Sequence, residues 1–180
     1  MCYNIPIAKE TMSNSQKRNN RSSTPNEVLI QGKRIAVKAA LEAGRYLGKE
    51  FLSKSKLNLL LGTIDKNGEP NVHPVWYLYY NNKLYVETSK SSKKVNNLKQ
   101  NSNAYFCIDD ERIPYKGVRG KVAVKILEEV ELTLPIAEKI MIKYTGNLEN
   151  EIAKVLLDGV KNEMSVILEL SPKYYSTWDH

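Results

Sequence analysis

Glu87-Thr88-Ser89-Lys90-Ser91-Ser92-Lys93-Lys94-Val95-Asn96-Asn97-Leu98 is the stretch on which the reading of this chain turns. It follows an alternating run, Leu84-Tyr85-Val86-Glu87-Thr88, that reads as a strand. It then opens a short helix in which Val95 and Leu98 face inward and Ser91-Ser92 can act as the cap. Where a strand hands over to a helix start, unpaired backbone N–H groups and the helix dipole favour an anion. Thr88, Ser92, Lys93 and Lys94 would add hydrogen bonds and positive charge there, which makes the segment a candidate phosphate cradle. The same residues also suit a capped, solvated helix start. The flanking segments have to decide between the two.

Upstream, Leu57 to Ile64 reads as a strand, and Asp65-Lys66-Asn67-Gly68 contains the Asn-Gly pair of a tight hairpin turn. Pro70 to Tyr80 reads as one return strand with both faces at least partly covered, and Asn81-Asn82 as a second tight turn. Downstream, Ala104 to Asp109 is a further strand. Gly117 to Leu127 alternates Val118, Gly120, Val122, Val124 and Ile126 against Arg119, Lys121 and Lys125. Helical spacing returns over Pro135 to Tyr144 and Glu149 to Lys161, separated at Gly146, which can take the left-handed conformation that ends a helix. Met164 to Leu170 is again a strand, closed by Pro172. Closely spaced strands, hairpin turns and a few inserted helices predict a mainly β chain, a small antiparallel β-barrel in which closure removes the exposed edges. No internal repeat is visible.

With 180 residues the chain has room for one domain with a substantial core. Residues 1–30 are expected to be a disordered basic tail, since Met12 to Thr24 has almost nothing apolar to bury. Residues 31–52 are expected to form an amphipathic helix leading into the barrel, with Ile35, Ala39, Glu42, Ala43, Tyr46 and Leu47 on its inner face, and residues 53–180 to form the barrel domain. Residues 1–56 carry eleven Lys/Arg against four Asp/Glu, so the whole net charge of +7 lies there and the remainder balances. A basic tail beside a neutral core suits a solubilising segment better than a nucleic-acid interface, and nucleic acid is not expected as a partner. No apolar run approaches the roughly 20 residues of a membrane span, and the N-terminus lacks a signal-peptide pattern, so a cytoplasmic address is expected.

The remaining candidates read as structural. Cys2 and Cys107 supply neither a disulfide framework nor a metal spacing, and Cys107, between apolar neighbours, is expected to be a buried thiol. Asp109-Asp110-Glu111 reads as a solvated loop rather than a metal cluster, and His73 as a packed or solvent-facing histidine rather than an acid or base. No metal site and no catalytic residue is expected.

Taken in order, Gly68-Glu69-Pro70 with Pro74-Val75-Trp76, then Thr88 with Ser92-Lys93-Lys94 and Asn97-Leu98, then Pro114-Tyr115-Lys116-Gly117-Val118 with Gly120, form a series that resembles the pyridoxamine 5'-phosphate oxidase-like family of FMN-binding split barrels. The resemblance runs from about Glu50 to Trp178. It implies a homodimer that binds FMN, or in some relatives coenzyme F-420, at the subunit interface, and an oxidoreductase acting on a small-molecule substrate. A binding or storage module without turnover would use the same pocket. The resemblance puts Lys93 and Lys94 on the cofactor phosphate, Thr88 and Ser92 as its hydroxyl partners, and Pro74, Val75 and Trp76 along the ring system. Tyr115 and Trp178 are implied as further cofactor contacts, with core or interface packing as the other reading of Trp76, Trp178 and Tyr115. Arg34, Lys38 or Arg45 would suit the acidic tail of F-420. The family often has Arg where this chain has Lys93, which replaces a planar fork by a point charge. The oxidase's C-terminal substrate-phosphate residues have no counterpart in Tyr174 to His180.

Overall fold

The computed structural model describes residues 3–6, 31, 34, 44 and 46–179. Strand β1 (Tyr3–Pro6) is followed by helix α1, which covers 46–54, with Gln31, Arg34 and Gly44 also helical. Then come β2 (Leu59–Ile64), β3 (Pro70–Val75), β4 (Leu78–Tyr80), β5 (Lys83–Ser89), α2 (Lys93–Gln100), β6 (Asn103–Asp110), β7 (Lys116–Leu127), α3 (Val130–Thr145), α4 (Glu151–Lys161) and β8 (Ser165–Asp179). The strands form one antiparallel sheet in the order β3-β2-β6-β7-β8-β5-β4, with β1 added to the C-terminal part of β8. The expected antiparallel barrel with inserted helices is the fold observed. β1 lies inside the segment read as a tail; the rest of residues 1–30 falls outside the described residues. Among the described residues no helix is long and apolar enough to cross a membrane.

Pro70 to Tyr80 is two strands, not one, and the break explains how the sheet curls. β3 and β4 are neighbours in sequence but lie at opposite edges of the sheet, joined only by Trp76 and Tyr77. Tyr77 is fully buried, and its hydroxyl donates to the carbonyls of Leu52 at 3.0 Å and Ser55 at 3.3 Å. Trp76 stacks on Tyr144 of α3, ring centroids 4.7 Å apart and nearly coplanar. Tertiary packing therefore overrides the alternating pattern that would have carried one strand straight through.

Alternate residues of β2, β5, β6 and β7 fill the barrel: Leu59, Leu61, Leu84, Val86, Phe106, Ile108, Val118 and Val122, with Val95 and Leu98 of α2 plugging one end. On the outside, α3 and α4 lay Ala137, Ile140, Met141, Leu157 and Val160 over Tyr85 and Ile167. β5 and the first half of β8 are thus covered on both faces, which is why Leu84-Tyr85-Val86 and Val166-Ile167-Leu168 are continuous apolar runs.

Other boundaries also moved. β8 does not stop at Pro172 but continues to Asp179, because the register shift opposite Lys121/Val122 leaves Lys173 as an extra residue, and a bulge accommodates a proline that cannot donate. α3 begins at Val130, so Pro135 sits inside it, and it ends at Gly146 with φ of 88° as expected. The predicted inner face of the leading helix is not the observed one: Tyr46 and Leu47 are exposed, whereas Gly44, Gly48 and Leu52 are buried. Ile35, Ala39, Glu42 and Ala43 lie outside the described residues.

Tyr144 ties the junction together. Its hydroxyl accepts from the Tyr77 N–H at 3.3 Å and donates to the Leu57 carbonyl at 3.1 Å, while Lys143 donates to the Tyr77 carbonyl at 3.0 Å. Tyr144→Phe keeps the stack on Trp76 but strands both backbone groups, so it should cost about 1–3 kcal/mol in urea unfolding. An unchanged unfolding free energy would show that the two bonds of the hydroxyl add nothing to stability at this junction.

Candidate functional site

β5 ends at Ser89, and Ser92, extended at φ −66° and ψ 151°, is the residue from which α2 starts. Its expected capping bond is not made. Instead the Ser92 hydroxyl is buried with no hydrogen-bond partner. Lys94 turns inward, donating to the Thr88 hydroxyl at 2.9 Å; burial lowers its ammonium pKa and nearby Glu87 opposes that. Burial raises the carboxyl pKa of Glu87, a shift countered by the Ser165 hydroxyl and Lys94. Lys93 stays at the mouth, 59% exposed, its ammonium 3.5 Å from Asp65 Oδ2. Asn97 of α2 donates to Thr63 of β2 at 3.0 Å, which fixes the helix against the sheet.

His73 completes this group. It faces Leu61 across the β3/β2 ladder, and its Nε2 is buried with no partner. Burial, then Lys94 and Lys93, push its imidazole pKa below the usual value. Two ammonium groups, the Thr88 hydroxyl and two buried polar atoms without partners thus gather around the start of α2 and the adjoining residue of β3. Buried polar atoms are nearly always paired, so the pair at Ser92 and His73 asks for a ligand with polar oxygens. A phosphate group fits this donor set in charge and in hydrogen-bonding capacity.

The sequence-derived site is brought together only in part. Thr88, Ser92, Lys93 and Lys94 converge. Pro74 is exposed and Val75 packs on the core, both on β3, an edge strand with a ladder on one side only. Trp76 is taken up by its stack on Tyr144. Tyr115 and Trp178, 5.8 Å apart, lie by the far end of β8 from Ser165, the residue paired with Ser89. Trp178 borders a cavity of about 1160 Å³ between α1 and the start of β7, lined also by Phe51, Leu57, Arg112, Lys116 and Val118. The indole N–H of Trp178 is buried without a partner.

Sequence reasoning missed His73, Glu87 and Asp65 as members of the site. The signal available for His73 was its parity on β3, opposite that of Val72 and Pro74, both exposed. Parity also corrects Cys107: Phe106 and Ile108 point inward, so Cys107 shares the outer face with Tyr105, is only half-buried, and burial and Asp109 raise its thiol pKa. Asp110 is not a solvated loop carboxylate. Arg112 grips it with bonds of 2.8 and 2.7 Å and lowers its pKa to about 2. Among the described residues no group of three or more His, Cys, Asp or Glu is placed to hold a metal ion.

The family model described as pyridoxamine 5'-phosphate oxidase matches residues 48–179. The chain belongs to this family. Its pyridoxamine 5'-phosphate oxidase segment contains the whole cradle and most of the Trp178 cavity. Among solved structures, a conserved hypothetical protein from Mycobacterium tuberculosis is similar at 21% identity and TM-score 0.64, over 92% of this chain and 91% of that one. An F-420 reductase is similar at 22% identity and TM-score 0.57, over 70% and 94%. The heme storage protein HutZ from Vibrio cholerae is similar at 17% identity and TM-score 0.55, over 68% and 86%. No curated protein sequence matches the chain. These likenesses establish the pyridoxamine 5'-phosphate oxidase-like split-barrel fold.

Proposed function

We propose that the chain is a flavin-binding oxidoreductase that holds FMN by its phosphate in the cradle and works as a homodimer on a small-molecule substrate. The observation that carries this reading is the pairing of Lys94 and Thr88 beside two buried, unpartnered polar atoms, Ser92 Oγ and His73 Nε2. Bound FMN would supply the hydride or electron transfer. Lys94 and Lys93 neutralise the phosphate, Thr88 and Ser92 orient it, and the free edge of β3 at Pro74 and Val75 offers backbone groups to a polar ring edge. No side chain is required as acid or base.

The outer face of β3, β2 and β6 supports the dimer. Val72 (64% exposed), Tyr105 (53%), Leu60 and Ile64 form an apolar surface of the kind that a second copy covers. A dimer also lets Tyr115 and Trp178 of one copy approach the cradle of the other, which they do not reach within their own chain. The solution mass should be twice 20.5 kDa, and the purified protein should be yellow with FMN released on denaturation. A colourless monomer with no affinity for added FMN would overturn the reading.

F-420 is the alternative ligand, favoured by the similarity to an F-420 reductase, and competition between FMN and F-420 decides between them. A non-catalytic module is the alternative role, favoured by the similarity to a heme storage protein. Anaerobic addition of NAD(P)H or reduced F-420 separates the roles: bleaching of the bound flavin supports the oxidoreductase, and no exchange with any donor supports the module.

A further inference from the structure

His73 Nε2 is buried and unpartnered, and His73 pairs with Leu61 of β2, two residues from the Thr63 that Asn97 of α2 holds at 3.0 Å, so it sits beside the helix that carries Lys93 and Lys94. The charged groups facing it are Lys93 and Lys94 of α2; Asp65, beyond β2, is engaged by Lys93, and Glu87 of β5 lies against Lys94. Burial, with Lys94 and then Lys93 adding to it, lowers the proton affinity of the imidazole. A phosphate dianion reverses both conditions: it cancels the ammonium field and presents an oxygen that can only accept.

Resting on the reading of the cradle as a phosphate site, we propose that His73 is a further ligand residue acting through Nε2, and that binding of a phosphate ester there is coupled to uptake of one proton by its imidazole. Coupling of this kind is reciprocal: acid strengthens ligand binding, and ligand raises the proton affinity of His73. The sign follows from linkage. A group whose proton affinity rises in the complex contributes affinity that is fully present below its free value and is lost as pH rises through the bound value. Between those values the FMN affinity falls by up to about tenfold per pH unit.

The test uses the full chain and His73→Gln, whose amide can still donate to phosphate but cannot titrate. Titration calorimetry near pH 7, in buffers of different ionisation enthalpy, counts protons taken up per FMN bound. The phosphate's own second ionisation, near pH 6, is common to both proteins and cancels in the difference. The native chain should take up as much as about one proton more than the variant, and riboflavin, which lacks the phosphate, should give no difference. The chain has only two histidines, so the His73 imidazole resonance is assignable by NMR, and its midpoint should move to higher pH on addition of FMN. FMN binding with equal proton counts in both proteins and an unmoved His73 midpoint would overturn the coupling alone. No FMN binding to either protein would overturn the coupling together with the flavin reading.

Discussion

Lys94→Met is expected to weaken FMN binding by about 100-fold, Lys93→Ala by tenfold or less, and the double variant is expected to retain no flavin through purification. The asymmetry follows from where the two ammonium groups sit. Lys94 is drawn out of water and held by Thr88 at 2.9 Å. A charge-assisted bond made there meets little competition from solvent. Lys93 is 59% exposed and already engaged by Asp65, so its contribution is screened and shared. Methionine at position 94 keeps most of the aliphatic stem and separates loss of charge from loss of packing, since Glu87 would otherwise be left facing a void. Affinity measured by flavin fluorescence, with the thermal midpoint recorded for each variant, checks the prediction; riboflavin binding should be unaffected. Equal losses at the two positions, or an unchanged FMN affinity in the double variant, would move the phosphate elsewhere.

Gly120→Ala is expected to cost about 3 kcal/mol or more and to lower the thermal midpoint by roughly 10 °C. Gly120 lies in β7 between Phe106 of β6 and Tyr175 of β8. A methyl group there would run into the Tyr174 carbonyl and lie 2.9 Å from Tyr175 Cα, both backbone atoms of the neighbouring strand. Neither can rotate away, and β7 cannot shift because it is laddered on both sides. Gly62→Ala in β2 is the matched control: its new methyl would meet the Tyr105 carbonyl at 3.5 Å, an ordinary contact, so the midpoint should hardly change. Similar midpoints for the two variants would mean that β7 and β8 can separate more readily than their pairing implies.

The strands and turns were legible in the sequence because each is a local event. Alternation marked β2, β6 and β7, and the Asn-Gly and Asn-Asn turns appear with positive φ at Gly68, Asn81 and Asn82. The break at Trp76-Tyr77 was not legible, since nothing in an alternating run announces that Tyr77 will find the carbonyls of Leu52 and Ser55 some twenty residues away. The same holds within the site. Thr88, Ser92, Lys93 and Lys94 are close in sequence and were found together; His73 and Asp65 arrive from another hairpin, and only the sheet register brings them in. Trp178 and Tyr115 were grouped with the cradle by family resemblance, while a single chain keeps them apart.

The junction between β3 and β4 has one more bearing on how the molecule works. No ladder of backbone bonds runs between these two edges, so beyond the two-residue link Trp76-Tyr77 the barrel is fastened there by aromatic side chains and a lysine that bond to single backbone groups. Such a fastening can loosen by rotating a few side chains while every strand pair stays intact. The strand beside it carries His73 and Pro74, so a shift at this junction would be felt at one side of the cradle.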